Sequence, residues 1–276
     1  MAGMTQATRA RMTPPLEDLL AQADAHADAY VAADPFPHGV YDGIFDLGGL
    51  RQVVAELPGR GESWTTWDTA NEWKHCFDRP DRFGPAARQL CDELNGSEFV
   101  RYLERLTGID GLIPDPHLTA AGYFEIERGG FLNVHVDFAR NPKLSLVRRV
   151  NVLLYLNEGW EADWGGQLEL WRSLEDGPVR SVVPLMNRMV VFTTPDAPHG
   201  HPRPVASPDG RSRLCFSAYY FTSPDKADSP EARNGVLFSE QPSRGGLGGI
   251  ARRVTPPIAA DWLRAARRWQ RRRAVR

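Results

Sequence analysis

The 276-residue sequence is poor in cysteine, poor in lysine and free of long apolar runs, and each deficit excludes a class of protein. Its three cysteines, Cys76, Cys91 and Cys215, are odd in number and scattered, so we expect neither a disulfide framework nor a cysteine zinc site. No apolar stretch approaches the ~18 residues that span a bilayer. The N-terminus contains arginine but lacks the apolar segment of a secretory signal. We therefore expect a cytoplasmic protein that has no membrane partner.

The charge balance argues against nucleic acid as a partner. The formal net charge is −2, whereas general nucleic-acid binders are basic. Positive charge comes almost wholly from arginine, and residues 264–276 hold seven arginines and no acidic residue. We interpret this basic tail as a solvated terminal segment. The oligomeric state stays open.

Helical periodicity dominates the first part of the chain. The apolar spacing predicts helices over residues 16–33, 47–57, 85–94 and 97–106. Ser97 is the expected N-cap of the last of these, and Gly108 is its expected C-terminal stop. Residues 1–14 are expected to be disordered. Residues 64–74 are aromatic and polar, and their pattern predicts no element.

After Gly122 the apolar period changes from 3.6 to 2, which indicates strands. The strand candidates are residues 122–127, 131–136, 149–156, 167–171, 179–184, 188–193 and 212–221. Many short strands separated by turn residues predict an antiparallel sandwich or barrel. We therefore predict an α+β fold in which helices of residues 15–110 buttress a jelly-roll core of residues 118–222. Together these form one domain, residues 15–224, followed by a polar Gly/Pro-rich extension, residues 225–276.

Two imidazoles and one carboxylate stand out in the strand region. His135 and Asp137 are two residues apart on a strand, so both side chains point to the same face. His199 follows the strand candidate 188–193 by a short turn. His201, two residues further on, is a rival ligand that we place in a loop. Two histidines and one carboxylate form the set that binds non-haem Fe(II) on one face and leaves the other face open.

A basic residue in the last strand candidate complements these ligands. Alternation puts Arg213 and Ser217 on one face, and a buried arginine is costly unless it is paired. A carboxylate from a co-substrate would satisfy its planar guanidinium, and Ser217 could donate to the same ligand. Arg211 is the alternative, although it lies nearer the turn at residues 208–210. Asn151 and Tyr155 share one face of strand 149–156, which predicts a polar cavity.

From Gly122 to Phe221 the sequence resembles the prolyl-4-hydroxylase-like branch of the Fe(II)/2-oxoglutarate-dependent dioxygenases. The segments that carry this resemblance are residues 129–137, 149–157, 164–170, 187–192, His199-Gly200 and 213–221. The resemblance implies a double-stranded β-helix, the jelly roll of that superfamily. It is specific for the family and not for a substrate.

The resemblance also implies a set of site residues and cofactors. Fe(II) would bind to His135, Asp137 and His199. The co-substrate 2-oxoglutarate would be held by Arg213, Tyr155, Asn151 and Ser217. Molecular oxygen would be the second co-substrate, and ascorbate is a candidate reductant.

The activity implied is hydroxylation of an unactivated C–H bond, with release of succinate and CO2. Free amino acids, peptidyl (prolyl-like) residues and specialised metabolites are all open as substrates. Relatives that halogenate lack the carboxylate ligand, so Asp137 favours hydroxylation. One alternative is a zinc hydrolase with the same ligands, but it would need a general base and no HExxH motif occurs. Another is a non-catalytic sensor that binds metal or 2-oxoglutarate.

Overall fold

The computed structural model describes residues 10–61, 64–141, 143–224 and 235–239. The helices of this part of the chain are α1 (Leu16–Val31), α2 (Leu47–Ala55), α3 (Pro85–Asn95) and α4 (Ser97–Thr107). Its strands are β1 (His38–Asp42), β2 (Thr65–Asp68), β3 (Glu72–Phe77), β4 (Ile113–Pro114), β5 (Gly122–Ile126), β6 (Phe131–Val136), β7 (Val147–Tyr155), β8 (Leu168–Trp171), β9 (Pro178–Val182), β10 (Arg188–Thr193), β11 (His199–His201), β12 (Arg213–Thr222) and β13 (Leu237–Phe238). None of the described helices is long and apolar enough to cross a membrane.

The helix ends follow local chemistry. The Asp46 side chain caps α2 by accepting a hydrogen bond from the Gly49 amide at 2.6 Å. Gly108 ends α4 with a φ of +69°, the left-handed conformation that makes glycine a helix stop, as the sequence predicts. Ser97 is the first residue of α4 rather than its cap, and Gly96 takes the cap position without a side-chain hydrogen bond. The prediction of a Ser97 cap was therefore wrong by one residue.

The strands form one antiparallel sheet that curls into a nearly closed barrel. The strand order is β1-β10-β7-β12-β5-β3-β6-β11-β8-β9, with β2, β4 and β13 pairing to β3, β12 and β6. This architecture confirms the predicted α+β class and jelly roll.

Except at a register irregularity between Tyr220 and Phe221, side chains along β7 and β12 alternate between the helix-packed face and the cavity face. The outward residues join the helices in one core, and they include Val150, Val152, Leu154, Phe216 and Tyr220. The Tyr220 hydroxyl donates to the Leu94 carbonyl at 2.7 Å, and the Tyr123 hydroxyl donates to the Val53 carbonyl at 3.2 Å. These bonds fix the helices to the outside of the barrel and leave its inner face for the site.

Residues 10–14 differ from the expected disordered terminus. Met12 is 4% exposed and belongs to the core. The Met12 and Thr13 amides donate to the Glu93 carboxylate of α3 at 3.1 and 2.7 Å. One apolar residue in a polar stretch has no period, so its docking could not be predicted from the sequence. Residues 1–9 lie outside the described part of the chain.

Residues 65–77 form the β2–β3 hairpin. The sequence pattern predicts no element over most of this segment. Strand β3 pairs with β5 through residues 75–77 and with β6 through Glu72 and Trp73, so it links the two halves of the sheet. Glu72, Lys74 and Cys76 alternate toward the cavity. Charged residues on the inward face hide the apolar alternation that normally indicates a strand.

Part of the C-terminal extension is built into the sheet. Leu237 pairs with Val136, and Phe238 pairs with His135. The extension expected after residue 224 therefore contributes strand β13 next to a predicted metal ligand. The Gly-rich residues 244–249 and the basic tail 264–276 lie outside the described residues.

Candidate active site

Three side chains that could bind a metal ion converge on one side of the barrel cavity. The potential ligand atoms of His135, Asp137 and His199 all lie within 4.8 Å of one another. His135 is in β6 and Asp137 directly follows this strand, while His199 in β11 stands opposite His135. Antiparallel pairing thus brings distant parts of the sequence together. We call these residues the ligand triad, and they are the three that the sequence predicts as metal ligands.

Both imidazoles of the triad are oriented in the same way. Nδ1 of His135 lies 2.9 Å from the carbonyl oxygen of Asn133. Nδ1 of His199 lies 2.8 Å from the carbonyl oxygen of Ala197. Because a carbonyl only accepts, Nδ1 carries the proton in each ring and the Nε2 lone pair is left for a metal. The two Nε2 atoms lie 3.6 and 3.7 Å from the carboxylate oxygens of Asp137.

The carboxylate of Asp137 is fixed by a buried polar network. Nη2 of Arg148 lies 3.0 Å from Oδ2, and the amide of Asn151 donates to the same oxygen at 2.8 Å. Nε of Arg148 also donates to Oδ1 of Asn151 at 2.7 Å. The guanidinium lies 3.5 Å from the ring centre of Tyr219 and 4.7 Å from that of Phe138. The network contacts Oδ2, so Oδ1 is the oxygen that could serve as a metal ligand.

The charges of the triad suit metal binding. Burial opposes ionisation of Asp137, but the Arg148 charge and the two imidazoles outweigh it and hold the pKa of the carboxyl well below its usual range. Burial and the neighbouring His135 lower the pKa of His199 to about 4. The carboxylate is therefore ionised and this imidazole neutral at pH 7, the forms that bind metals.

The periodicity of the sequence does not identify Arg148 as a cavity residue, because β7 contains an irregularity. Val150 stands opposite Tyr220, but the next pair is Arg148 with Phe221, so Arg149 is the extra residue of a β-bulge. Strict alternation would point Arg149 toward the cavity. A bulge shifts the alternation by one residue, and Arg148 takes the inward position instead.

Arg213 marks another region of the cavity wall. It is 4% exposed, its Nε donates to the Gly166 carbonyl at 2.7 Å, and its Nη2 donates to the Tyr155 hydroxyl at 3.2 Å. Gly166 has a φ of +70°, and a Cβ there would lie 2.9 Å from Cδ of Arg213, so the site needs glycine. Burial raises the pKa of Tyr155, which keeps its hydroxyl proton. No acidic side chain of the described residues forms an ion pair with Arg213, so an anionic ligand would complete it.

One cavity of about 390 Å³ is lined by both the ligand triad and Arg213. Asn151 and Ser217 also line it, and both are about 1% exposed. The observed contact of Asn151 is with Asp137 rather than toward Arg213. Oγ of Ser217 lies 3.8 Å from Sγ of Cys215. The roles of Asn151, Ser217, Arg213 and Tyr155 in holding a co-substrate stay predictions.

The two alternative site residues differ in their placement. His201 lies in β11, not in the expected loop, and pairs with Leu132. It is 3% exposed and lines the cavity, but it is not part of the converging triad. Arg211 is exposed, and its guanidinium lies 5.1 Å from the Trp164 ring. The structure thus places Arg213, and not Arg211, on the cavity wall.

Two further parts of the cavity wall could not be predicted from the sequence. Nζ of Lys74 lies 2.8 Å from the Glu72 carboxylate and 5.2 Å from the Phe124 ring centre, and this ion pair is largely buried. The Phe238 ring of β13 lies 5.5 Å from the ring of His135. The cavity therefore has a charged side and an aromatic side.

The residues present fit Fe(II) and 2-oxoglutarate. Two imidazoles with free Nε2 atoms and one ionised carboxylate form a facial donor set, and the guanidinium of Arg213, which forms no ion pair with a described residue, suits a dicarboxylate. A jelly roll that carries such a donor set in its cavity is typical of the class of non-haem iron oxygenases.

Comparison with known proteins agrees with this class. Residues 118–221 match the 2OG-Fe(II) oxygenase superfamily. Over these residues the chain is similar to 2-oxoglutarate-dependent oxygenases. No curated protein matches the sequence significantly.

Three solved structures show the same fold at low sequence identity. A prolyl-4-hydroxylase of Pseudomonas putida is 20% identical with a TM-score of 0.50, covering 76% of this chain and 100% of its own. A prolyl hydroxylase of Trichoplax adhaerens, in complex with a hypoxia inducible factor peptide fragment, is 16% identical with a TM-score of 0.53, covering 75% and 91%. A prolyl 4-hydroxylase of Phytophthora capsici is 18% identical with a TM-score of 0.54, covering 98% and 80%.

Proposed function

We propose that this protein is a 2-oxoglutarate-dependent oxygenase that hydroxylates an unactivated C–H bond of an amino acid or of a single side chain in a peptide. One atom of O2 enters the substrate as a hydroxyl group, and the other enters 2-oxoglutarate, which leaves as succinate and CO2. The observation that carries this proposal is that the ligand triad and the unpaired Arg213 line one cavity.

The triad residues have distinct roles in this proposal. Nε2 of His135, Nε2 of His199 and Oδ1 of Asp137 hold Fe(II), which supplies the redox chemistry that activates O2. Arg148 and Asn151 keep the carboxylate ionised and oriented. Three protein ligands leave the remaining coordination positions for the co-substrates.

Arg213 and Tyr155 bind the distal carboxylate of 2-oxoglutarate. The guanidinium supplies charge-assisted donors. The Tyr155 hydroxyl accepts from Arg213, which leaves its own proton free to donate to the ligand. Ser217 lies on the same strand and the same face as Arg213, and its hydroxyl is a further donor for this carboxylate.

The size of the cavity argues for a small reacting group. Ligand pockets have volumes of roughly 300–1,000 Å³, and the described residues enclose about 390 Å³. This space must hold 2-oxoglutarate as well as the substrate. A free amino acid or one peptidyl, prolyl-like side chain fits better than a bulky specialised metabolite, which would have to lie mostly outside. The solved prolyl hydroxylases have the same fold, and by analogy they support a peptidyl substrate.

The retained carboxylate favours hydroxylation over halogenation. In halogenating relatives chloride takes the position of this ligand, and Asp137 fills it here. The zinc hydrolase is less well supported, because it would need a general base and the sequence has no HExxH motif.

The proposed function is tested by turnover of the iron-loaded protein. Metal-free protein is supplied with Fe(II), 2-oxoglutarate and ascorbate, and O2 consumption and succinate are measured with panels of amino acids and proline-containing peptides. We expect O2 and succinate in equal amounts and a product heavier by one oxygen atom. The His199→Ala variant is the negative control. Binding of 2-oxoglutarate without O2 consumption would support the sensor, and hydrolysis with Zn(II) alone would support the hydrolase.

A further inference from the structure

His201 is a buried polar side chain that no described residue satisfies. It is 3% exposed, and neither Nδ1 nor Nε2 has a hydrogen-bond partner in the described part of the chain. Buried polar groups are almost always hydrogen-bonded, and a group left unpaired costs free energy. Because His201 lines the cavity, the missing partner is expected to be a ligand.

His201 lines the same cavity as the ligand triad and Arg213. His201 pairs with Leu132, three residues before His135 on the same strand, so it is displaced along β6 from the triad. After burial, the charge of Arg213 has the largest effect on the pKa of His201, ahead of Lys74 and His135. The imidazole and the guanidinium therefore lie within electrostatic reach of each other on the wall of one cavity.

Arg213 fills only about two of the acceptor sites of a bound carboxylate, through the two parallel N–H bonds of its planar guanidinium. Its Nε is used by the Gly166 carbonyl, and one Nη2 proton is used by the Tyr155 hydroxyl. An ionised carboxylate has about four acceptor sites. The Tyr155 hydroxyl fills a third site, and a ring N–H of His201, on the wall of the same cavity, could fill another.

We propose that His201 donates a ring N–H hydrogen bond to the distal carboxylate of 2-oxoglutarate, as a second anchor beside Arg213. This assignment rests on the proposed function. It makes His201 a co-substrate-binding residue and not a metal ligand, since the three triad residues converge without it.

Binding can be measured without turnover by loading the full chain with Ni(II) and titrating ligands by calorimetry. His201→Leu removes the donor while keeping an apolar side chain, and we expect it to weaken 2-oxoglutarate binding about tenfold or more, because hydrogen bonds to charged groups are the strong ones. Binding of 2-oxobutyrate, which lacks the distal carboxylate, should be unchanged. His201→Gln keeps an N–H donor and should lose less affinity. His26→Leu, at an exposed helix position, is the matched control.

Thermal melting supplies an independent readout. Without ligand, His201→Leu should melt at or above the wild-type temperature, since it removes an unsatisfied buried group. Its stabilisation by added 2-oxoglutarate should be smaller than that of the wild type. If Leu at this position does not fold, the comparison is made with His201→Gln.

The outcomes separate this inference from the proposed function. Unchanged 2-oxoglutarate affinity in His201→Leu, an equal loss for 2-oxobutyrate, or loss of the metal would each overturn the role of His201. Failure of the wild-type, metal-loaded protein to bind 2-oxoglutarate would instead overturn the proposed function.

Discussion

Replacing Arg148 with methionine tests the buried network that fixes Asp137. Methionine retains an unbranched apolar stem but removes the charge that lies 3.0 Å from Oδ2. Both partners are buried, Arg148 at 1% exposure and Asp137 at 9%. Removing one partner of a buried ion pair costs about 3–5 kcal/mol, whereas a volume-conserving change costs less than about 1.5 kcal/mol. We therefore expect the loss of charge to dominate, and metal-free Arg148→Met to lose about 3–5 kcal/mol of unfolding free energy.

The assay is urea denaturation in the presence of a chelator, followed by circular dichroism. Arg149→Met is the matched control, because Arg149 is the neighbouring bulge residue, is only partly buried and has no ion pair with Asp137. A double-mutant cycle with Asp137→Asn isolates the interaction. The double variant should be less destabilised than the sum of the single variants by about 2–3 kcal/mol.

The pH dependence gives a second check on the same reasoning. The folded pKa of Asp137 is depressed, so its ionisation stabilises the protein above the unfolded pKa of about 3.9 and this contribution is lost as pH falls through the folded pKa. Arg148→Met removes the main cause of the depression. The difference in stability between wild type and variant should then narrow below about pH 4. The reasoning would be refuted if the destabilisations of the two single variants simply add in the double variant and the stability difference between wild type and Arg148→Met is the same at every pH. Arg148 would then act only by packing.

Three further predictions concern the reaction. His199→Ala should lose iron and activity, while His201→Ala should keep iron bound; metal analysis of the purified variants decides between the two histidines. Arg213→Ala should raise the 2-oxoglutarate concentration needed for half-maximal rate by roughly tenfold or more, because a charge-assisted pair contributes about 1.5–3 kcal/mol; an unchanged requirement would move the anchor elsewhere. With Asp137 present, turnover under labelled oxygen and added chloride should give a hydroxylated product, so a chlorinated product in the mass spectrum would contradict the assignment.

The helices and the central strands could be predicted because each shows one apolar period. Strands β6 and β10 begin and end where the alternation does, and β12 differs from it by one residue at each end. The outer faces of β7 and β12 pack on helices, which makes the apolar half of the alternation nearly complete. Where one face of an element is wholly buried, the sequence has little freedom and its pattern is easy to recognise.

The walls of the cavity could not be predicted in this way. Strand β3 exposes Glu72 and Lys74 to the cavity, and their ion pair replaces the apolar residues that would mark the strand. Strand β13 is two residues long and is recognisable only from its pairing with β6. Residues that face a ligand are selected for that ligand, so their pattern does not report the secondary structure that carries them.

Strand register decides which of two identical, closely spaced residues takes part in the site, because residue type alone does not distinguish them. Two pairs of identical residues lie close together in the sequence, His199 with His201 and Arg148 with Arg149. In β11 the pairing sets His199 opposite His135 and His201 opposite Leu132, with a register shift between them. In β7 a bulge turns Arg148 inward in place of Arg149. Both irregularities depend on pairing with the neighbouring strand, so they cannot be predicted from the local apolar periodicity of the sequence. It follows that the chemistry of this site is encoded locally by residue type, whereas the assignment of each residue to the metal or to its surroundings is encoded by strand pairing.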